Sequence, residues 1–277
     1  MFGDRFRRLG ARARVPADGG PMRGTLVESD VAFGEAAAHR LDVYRPAGAA
    51  RAALVVMVHG GGWRHGDKAA PRVVGNKVRH WVGHGLVVVS VNYRLLPEAG
   101  PLAQADDVAR ALAFVQQHGA RWGADAGRIV LIGHSSGAHL VSLLTADATL
   151  AASHGVQRWS GTIALDSAAF DVERIMSRPH LPLYDWAFGA DPGRWRAASP
   201  TWRLQGPLVA PMLIVSSSHR PDALEQARDF AERARVFGGR VETLAVDLAH
   251  AEANERLGLS GDYTDRIDAF MRSVGVA

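Results

Sequence analysis

Three side chains stand in an order suited to nucleophilic catalysis: Ser135, Asp222 and His250. A serine hydroxyl attacks poorly until a base takes its proton, and that base must be oriented by a third, acidic group. Ser135 lies in Gly133-His134-Ser135-Ser136-Gly137, between the apolar run Ile129 to Ile132 and the helically spaced Ala138, Leu140, Val141, Leu143 and Leu144. A G-x-S-x-G that joins a strand to a helix is a nucleophile elbow, a strained turn that pushes the hydroxyl into a cleft beside the positive end of the helix. Of the twelve histidines, only His250 follows the last strand-like run, Val241 to Val246. The acid is more open. Asp222 follows the strand-like run 211–218 and is favoured, although it would equally suit the first turn of a helix. Asp166, at the end of the preceding strand-like run, is its rival, and Asp247 stands too near His250 to reach the ring without an unusual turn.

A second motif supplies what the first lacks. His59-Gly60-Gly61-Gly62-Trp63 follows the apolar run Ala53 to Val58, and backbone N–H groups of glycines converge on an anion more easily than those of residues with side chains. The phosphate-loop pattern G-x-x-x-x-G-K-[ST] is missing, and no G-x-G-x-x-G opens a helix, so the loop is expected to bind an oxyanion. His59 is expected to brace it.

These pieces need a frame. Strand signals at 25–33 and 39–44 suit an antiparallel pair at a sheet edge. Continuous apolar runs at 53–58, 86–93, 129–132, 161–167, 211–218 and 241–246 alternate with helical spacing at 73–81, 106–118, 138–144, 221–237 and 263–274. Such alternation predicts an α/β fold, a mostly parallel central sheet with helices on both faces, whose ligands bind beyond the strands' C-terminal ends. Residues 170–208 break the rhythm with Tyr184, Trp186, Phe188, Trp195, Trp202 and several prolines. They are expected to form a small cap insertion over the cleft, in which Trp186 and Phe188, together with Trp63 and His134, would line the substrate pocket.

Composition narrows the class. The 277 residues are 47% hydrophobic, enough for one α/β domain with a large core. One domain over 25–277 is expected, behind a flexible basic tail, 1–24, that carries Arg5, Arg7, Arg8, Arg12 and Arg14 but no apolar signal segment. There is no cysteine, hence no disulfide or thiolate metal site. A net charge of +4 without a basic, aromatic-interleaved stripe argues against nucleic acid, and no apolar run could span a bilayer. A soluble, cytoplasmic protein is expected, with no metal or cofactor, no nucleic-acid or membrane partner, a small-molecule ester as substrate and a homodimer left open.

The glycine loop, Asn92-Tyr93-Arg94-Leu95-Leu96-Pro97-Glu98, the elbow and the late Asp222 and His250 together resemble the hormone-sensitive-lipase-like carboxylesterases and the related kynurenine formamidase and feruloyl-esterase-like branch of the α/β-hydrolases, over about residues 25–275. The resemblance implies the α/β-hydrolase fold, Ser135 as nucleophile, Asp222 and His250 as its partners, and the backbone N–H groups of Gly61, Gly62 and Ser136 as oxyanion hole. Two features depart from the lipase-like pattern: His134 replaces the usual Asp after the first elbow glycine, and the N-terminal cap region is short. The expected activity is hydrolysis of short-chain carboxylic esters through an acyl-enzyme. The alternatives are hydrolysis of an N-formyl aryl amide and a non-catalytic ligand receptor.

Overall fold

A computed structural model describes residues 24–276; apart from Gly24, the expected basic tail lies outside them. Eight strands form one sheet: β1 (Thr25–Ala32), β2 (Arg40–Pro46), β3 (Ala52–Val58), β4 (Val87–Val91), β5 (Ala124–His134), β6 (Gly161–Leu165), β7 (Met212–Ser217) and β8 (Val241–Val246), in the order β1-β2-β4-β3-β5-β6-β7-β8. From β3 to β8 every pairing is parallel, whereas β2 pairs antiparallel with both β1 and β4.

The alternation of side chains along β3 shows why its sequence is apolar throughout. Leu54, Val56 and Val58 point into one layer with Leu112, Leu140 and Leu143. Ala53, Val55 and Met57 point into the other, with Trp81 and Phe270. Successive residues of a strand face opposite sides, so a strand covered on both sides has no position that faces water. The first layer is built by α2 (Pro101–His118) and α3 (Ser136–Ala146), the second by α1 (Pro71–Gly83) and the last helix (Asp262–Ser273).

The remaining helices are short, apart from the one that follows β7. They are α4 (Ala148–Ala152), α5 (Val172–Met176), α6 (Pro182–Phe188), α7 (Pro192–Ala197), α8 (Pro200–Arg203) and α10 (Glu252–Glu255); α9 (Pro221–Val236) follows β7, and the last helix is α11. Four of them, α5 to α8, make up the irregular segment between β6 and β7. Three of these begin with proline, and the side chains of Asp171 and Asp191 cap α5 and α7. Helices of four to seven residues are too short to display a period, which is why the sequence shows none here. Helix α2 starts at Pro101, five residues ahead of the expectation, because Pro101, Gln104 and Ala105 are already buried in its first turn. Among the described residues no helix is long and apolar enough to cross a membrane.

Candidate active site

The elbow is held by close backbone approach. A Cβ on Gly137 would collide with the carbonyl oxygens of Val58 and His59, and one on Gly133 with the backbone of Gly137, so only glycine lets α3 start against β3 and β5. Between them Ser135 adopts φ 54°, ψ −118°, a conformation that costs a non-glycine residue about 1–3 kcal/mol. Its N–H donates to Leu165 O at 2.9 Å, which turns the side chain out of the sheet edge.

His250 Nε2 lies 3.0 Å from Ser135 Oγ, and its Nδ1 lies 2.6 Å from Asp166 Oδ2. The Asp166 carboxylate is fully buried. It accepts from Ser217 N at 2.9 Å through Oδ1, and from Arg220 Nη1 at 2.8 Å through Oδ2. Burial pushes its pKa up, but hydrogen bonds from His250, Arg220 and the Ser217 N–H outweigh that and hold it at about 2. Asp166 is therefore ionised near neutrality, His250 Nδ1–H donates to it, and Nε2 is left with its lone pair toward the serine hydroxyl.

The loop that carries His250 is fixed from three sides. Ser217 Oγ donates to Leu248 O at 2.6 Å. His134 Nε2 donates to His250 O at 2.9 Å, with the two rings 4.7 Å apart; burial, aided by the nearby His250, lowers the His134 pKa to about 3 and keeps it neutral. On the far side α1 clasps α10: Lys77 Nζ donates to Asn254 O at 2.5 Å, Asn76 Nδ2 to Glu255 O at 2.7 Å, and Asn254 Nδ2 back to Arg72 O at 2.9 Å.

Facing the serine is the glycine loop. Gly61 has φ 138°, and a Cβ there would strike the His65 carbonyl. Trp63 anchors the loop: its carbonyl accepts from Gln104 Nε2 and Leu96 N, at 2.8 and 2.9 Å. Its Nε1–H donates to His139 Nδ1 at 3.1 Å, and His139 Nε2–H donates on to Ala198 O at 2.7 Å. The buried His139, its pKa lowered to about 4 by burial, thus ties glycine loop, elbow helix and cap together. His59 braces the same loop through Nδ1 at 3.0 Å from Gly60 O and a ring stacked on Tyr93. Gly60, Gly61, Gly62, Ser135, Ser136 and His250 all border one cavity of about 520 Å³.

The family model BD-FAE matches residues 41–173. Esterase LipI of Mycobacterium tuberculosis is 39% identical over 95 residues, covering 34% of this chain and 29% of LipI. Among solved structures, esterase B from Lactobacillus rhamnosis superposes with a TM-score of 0.74 at 21% identity, over 95% of this chain and 87% of that one. A thermophilic esterase of Thermogutta terrifontis, solved with butyrate bound, gives 0.70 at 25% identity, over 92% and 96%. The chain has the α/β-hydrolase fold of these esterases. The stretches matched in curated relatives span 24–37% of those proteins' own lengths.

The structure brings Ser135 and His250 together, but Asp222 is not the group that meets the histidine. Asp222 is exposed in the first turn of α9 and borders a neighbouring cavity of about 480 Å³. The reason lies in strand order. β6 is hydrogen-bonded directly to the elbow strand β5, one position closer than β7, so the exit of β6 lies beneath the histidine loop, and a chain leaving β7 turns away into α9. The cap differs from expectation as well. Trp186 is 58% exposed, under the Arg64 guanidinium, and Phe188 is buried behind Trp63 with ring centroids 5.0 Å apart. The cap side chains that border the serine cavity are Leu181, Leu183 and Tyr184, beside Trp63 and His134. Arg220, Ser217 and Tyr184 carry no motif; only the need of a buried carboxylate for partners could have pointed to Arg220.

Proposed function

We propose that this hydrolase cleaves short-chain carboxylic esters, with Ser135, His250 and Asp166 as its catalytic triad. The observation that carries the reading is one chain of contacts: a strained Ser135, its hydroxyl 3.0 Å from His250 Nε2, and Nδ1 of that ring 2.6 Å from a fully buried carboxylate. Ser135 Oγ attacks the ester carbonyl while Nε2 takes its proton. The carbonyl oxygen becomes an oxyanion, for which the N–H groups of Gly61, Gly62 and Ser136 are the donors bordering the cavity. On collapse the C–O bond to the alcohol breaks, and His250 returns the proton to the departing alkoxide. Water, deprotonated by the same Nε2, then attacks acyl-Ser135, releases the acid and restores the hydroxyl.

A cavity of about 520 Å³ bounded by Trp63, Leu181, Leu183 and Tyr184 fits a compact acyl group of two to four carbons on a moderately bulky or aromatic alcohol. The butyrate bound to the Thermogutta terrifontis esterase supports this size. On p-nitrophenyl esters of graded length, kcat/KM is expected to peak between acetate and butyrate. A peak at ten carbons or beyond, or no turnover of any ester, would rule the reading out.

A further inference from the structure

The side chain that shapes the triad most, after its three members, is one that no motif marks. Arg220 leaves the end of β7 and directs a single nitrogen, Nη1, into the triad: 2.8 Å from Asp166 Oδ2, 2.8 Å from the Asp166 carbonyl oxygen and 2.9 Å from His250 Nδ1. Nη1 has two hydrogens, and the two Asp166 oxygens take both. The third contact is therefore not a hydrogen bond, because Nδ1 uses its own hydrogen on Oδ2. It places a permanent positive charge against the ring nitrogen on the side away from the serine.

We propose that Arg220 is a positioning residue of the hydrolysis, one that clamps the Asp166 carboxylate in place and, by its charge beside Nδ1, opposes the positive charge of the imidazolium. This rests on the ester-hydrolase reading. A triad carboxylate facing its histidine alone favours the protonated ring; one shared with a guanidinium does so less, since part of its charge is already matched. Arg220 also borders both the serine cavity and the neighbouring one, and its side chain remains partly exposed, so it clamps the acid at the wall of the cleft and not from the core.

The groups that face His250 limit the other sources of such an effect. They are Asp166 from the β6 exit, Arg220 from the β7 exit, and Ser135 and the neutral His134 from the elbow. Behind His134 lies the buried Lys77 of α1, and in the cavity Tyr184 of α6. On the histidine's own loop, Asp247 is paired with His219, and Glu252 accepts from Ala249 N. Of the cations among these, Arg220 alone touches the ring.

The test is the pH dependence of kcat/KM for p-nitrophenyl acetate, and in parallel of the rate at which an alkyl fluorophosphonate labels Ser135, in wild type, Arg220→Gln and Arg220→Lys. Gln retains a hydrogen-bond donor without charge, and Lys retains the charge. In Arg220→Gln the acid limb of both profiles should move up by about one pH unit, with a fall in the plateau. In Arg220→Lys the limb should stay near its wild-type position even where the plateau falls. An unmoved limb in Gln, or a limb in Lys that moves as far as in Gln, overturns the proposal while leaving ester hydrolysis intact. Should Gln fail to fold, Arg220→Met serves as the uncharged variant, with the same limb shift expected and an unmoved limb overturning the proposal. A wild-type chain inert to both reagents would overturn the ester-hydrolase reading, and this inference with it.

Discussion

The exits of β6 and β7 each carry an aspartate beside the cleft, Asp166 and Asp222, and each follows a fully buried strand. Their surroundings differ. Asp166 has no exposed surface, and its two oxygens meet a histidine ring, a guanidinium and a backbone N–H. Asp222 is exposed at the N-terminal turn of α9, where its charge suits the helix dipole. A carboxylate can hold an imidazole in one tautomer only where water does not compete for it, so burial with satisfied oxygens separates a catalytic acid from a helix-start acid more reliably than rank along the chain. The β7 exit still reaches Asp166 and the histidine loop, through Ser217 N, Ser217 Oγ and Arg220, in place of a carboxylate of its own.

The largest effect is expected from Ser135→Ala, which removes the attacking atom and leaves only a small void: kcat for p-nitrophenyl acetate should fall by about 10⁶-fold with an unchanged circular dichroism spectrum. That residual rate is the floor against which both exits are judged. Next comes Ser217→Ala, which keeps the N–H that serves Asp166 but removes the hydroxyl that holds Leu248 O. If β7 acts by fixing the histidine loop, kcat should drop about tenfold; an unchanged kcat would reduce its part to the backbone contact. The smallest effect is on stability. His134 and His139 are buried with pKa values lowered to about 3 and about 4, so the unfolded chain binds protons below its ordinary histidine pKa of 6.5 while the folded chain does not. Stability should therefore fall as pH drops from about 6.5 toward 4, seen as a declining urea midpoint. Asp166, held at about 2, adds a further loss only below about pH 4, as the acid-lowered case requires.

Much of this was legible in the chain. The central strands were readable because burial on both faces leaves no charged position in 53–58 or 161–165, and the elbow because Gly133 and Gly137 bracket a serine between a strand and a helix. The pairing of Ser135 with His250 followed from position after successive parallel strands. The acid was not legible: sequence order shows that Asp166 and Asp222 each follow a strand, but not which strand is hydrogen-bonded beside β5. The cap resisted for another reason. In helices as short as α6, Tyr184 and Leu183 are directed into the cleft, Phe188 toward Trp63 and Trp186 to solvent, and no periodicity over seven residues distinguishes these directions.

The central claim, that the acid of the triad stands after β6, is tested most directly by kcat/KM for p-nitrophenyl acetate in Asp166→Asn and Asp222→Asn, measured side by side. Asn at 166 cannot stabilise the imidazolium and favours the wrong tautomer, so a loss of about 10⁴-fold is expected there, against less than about twofold at the exposed position 222. A collapse in Asp222→Asn with Asp166→Asn near wild type would contradict the account.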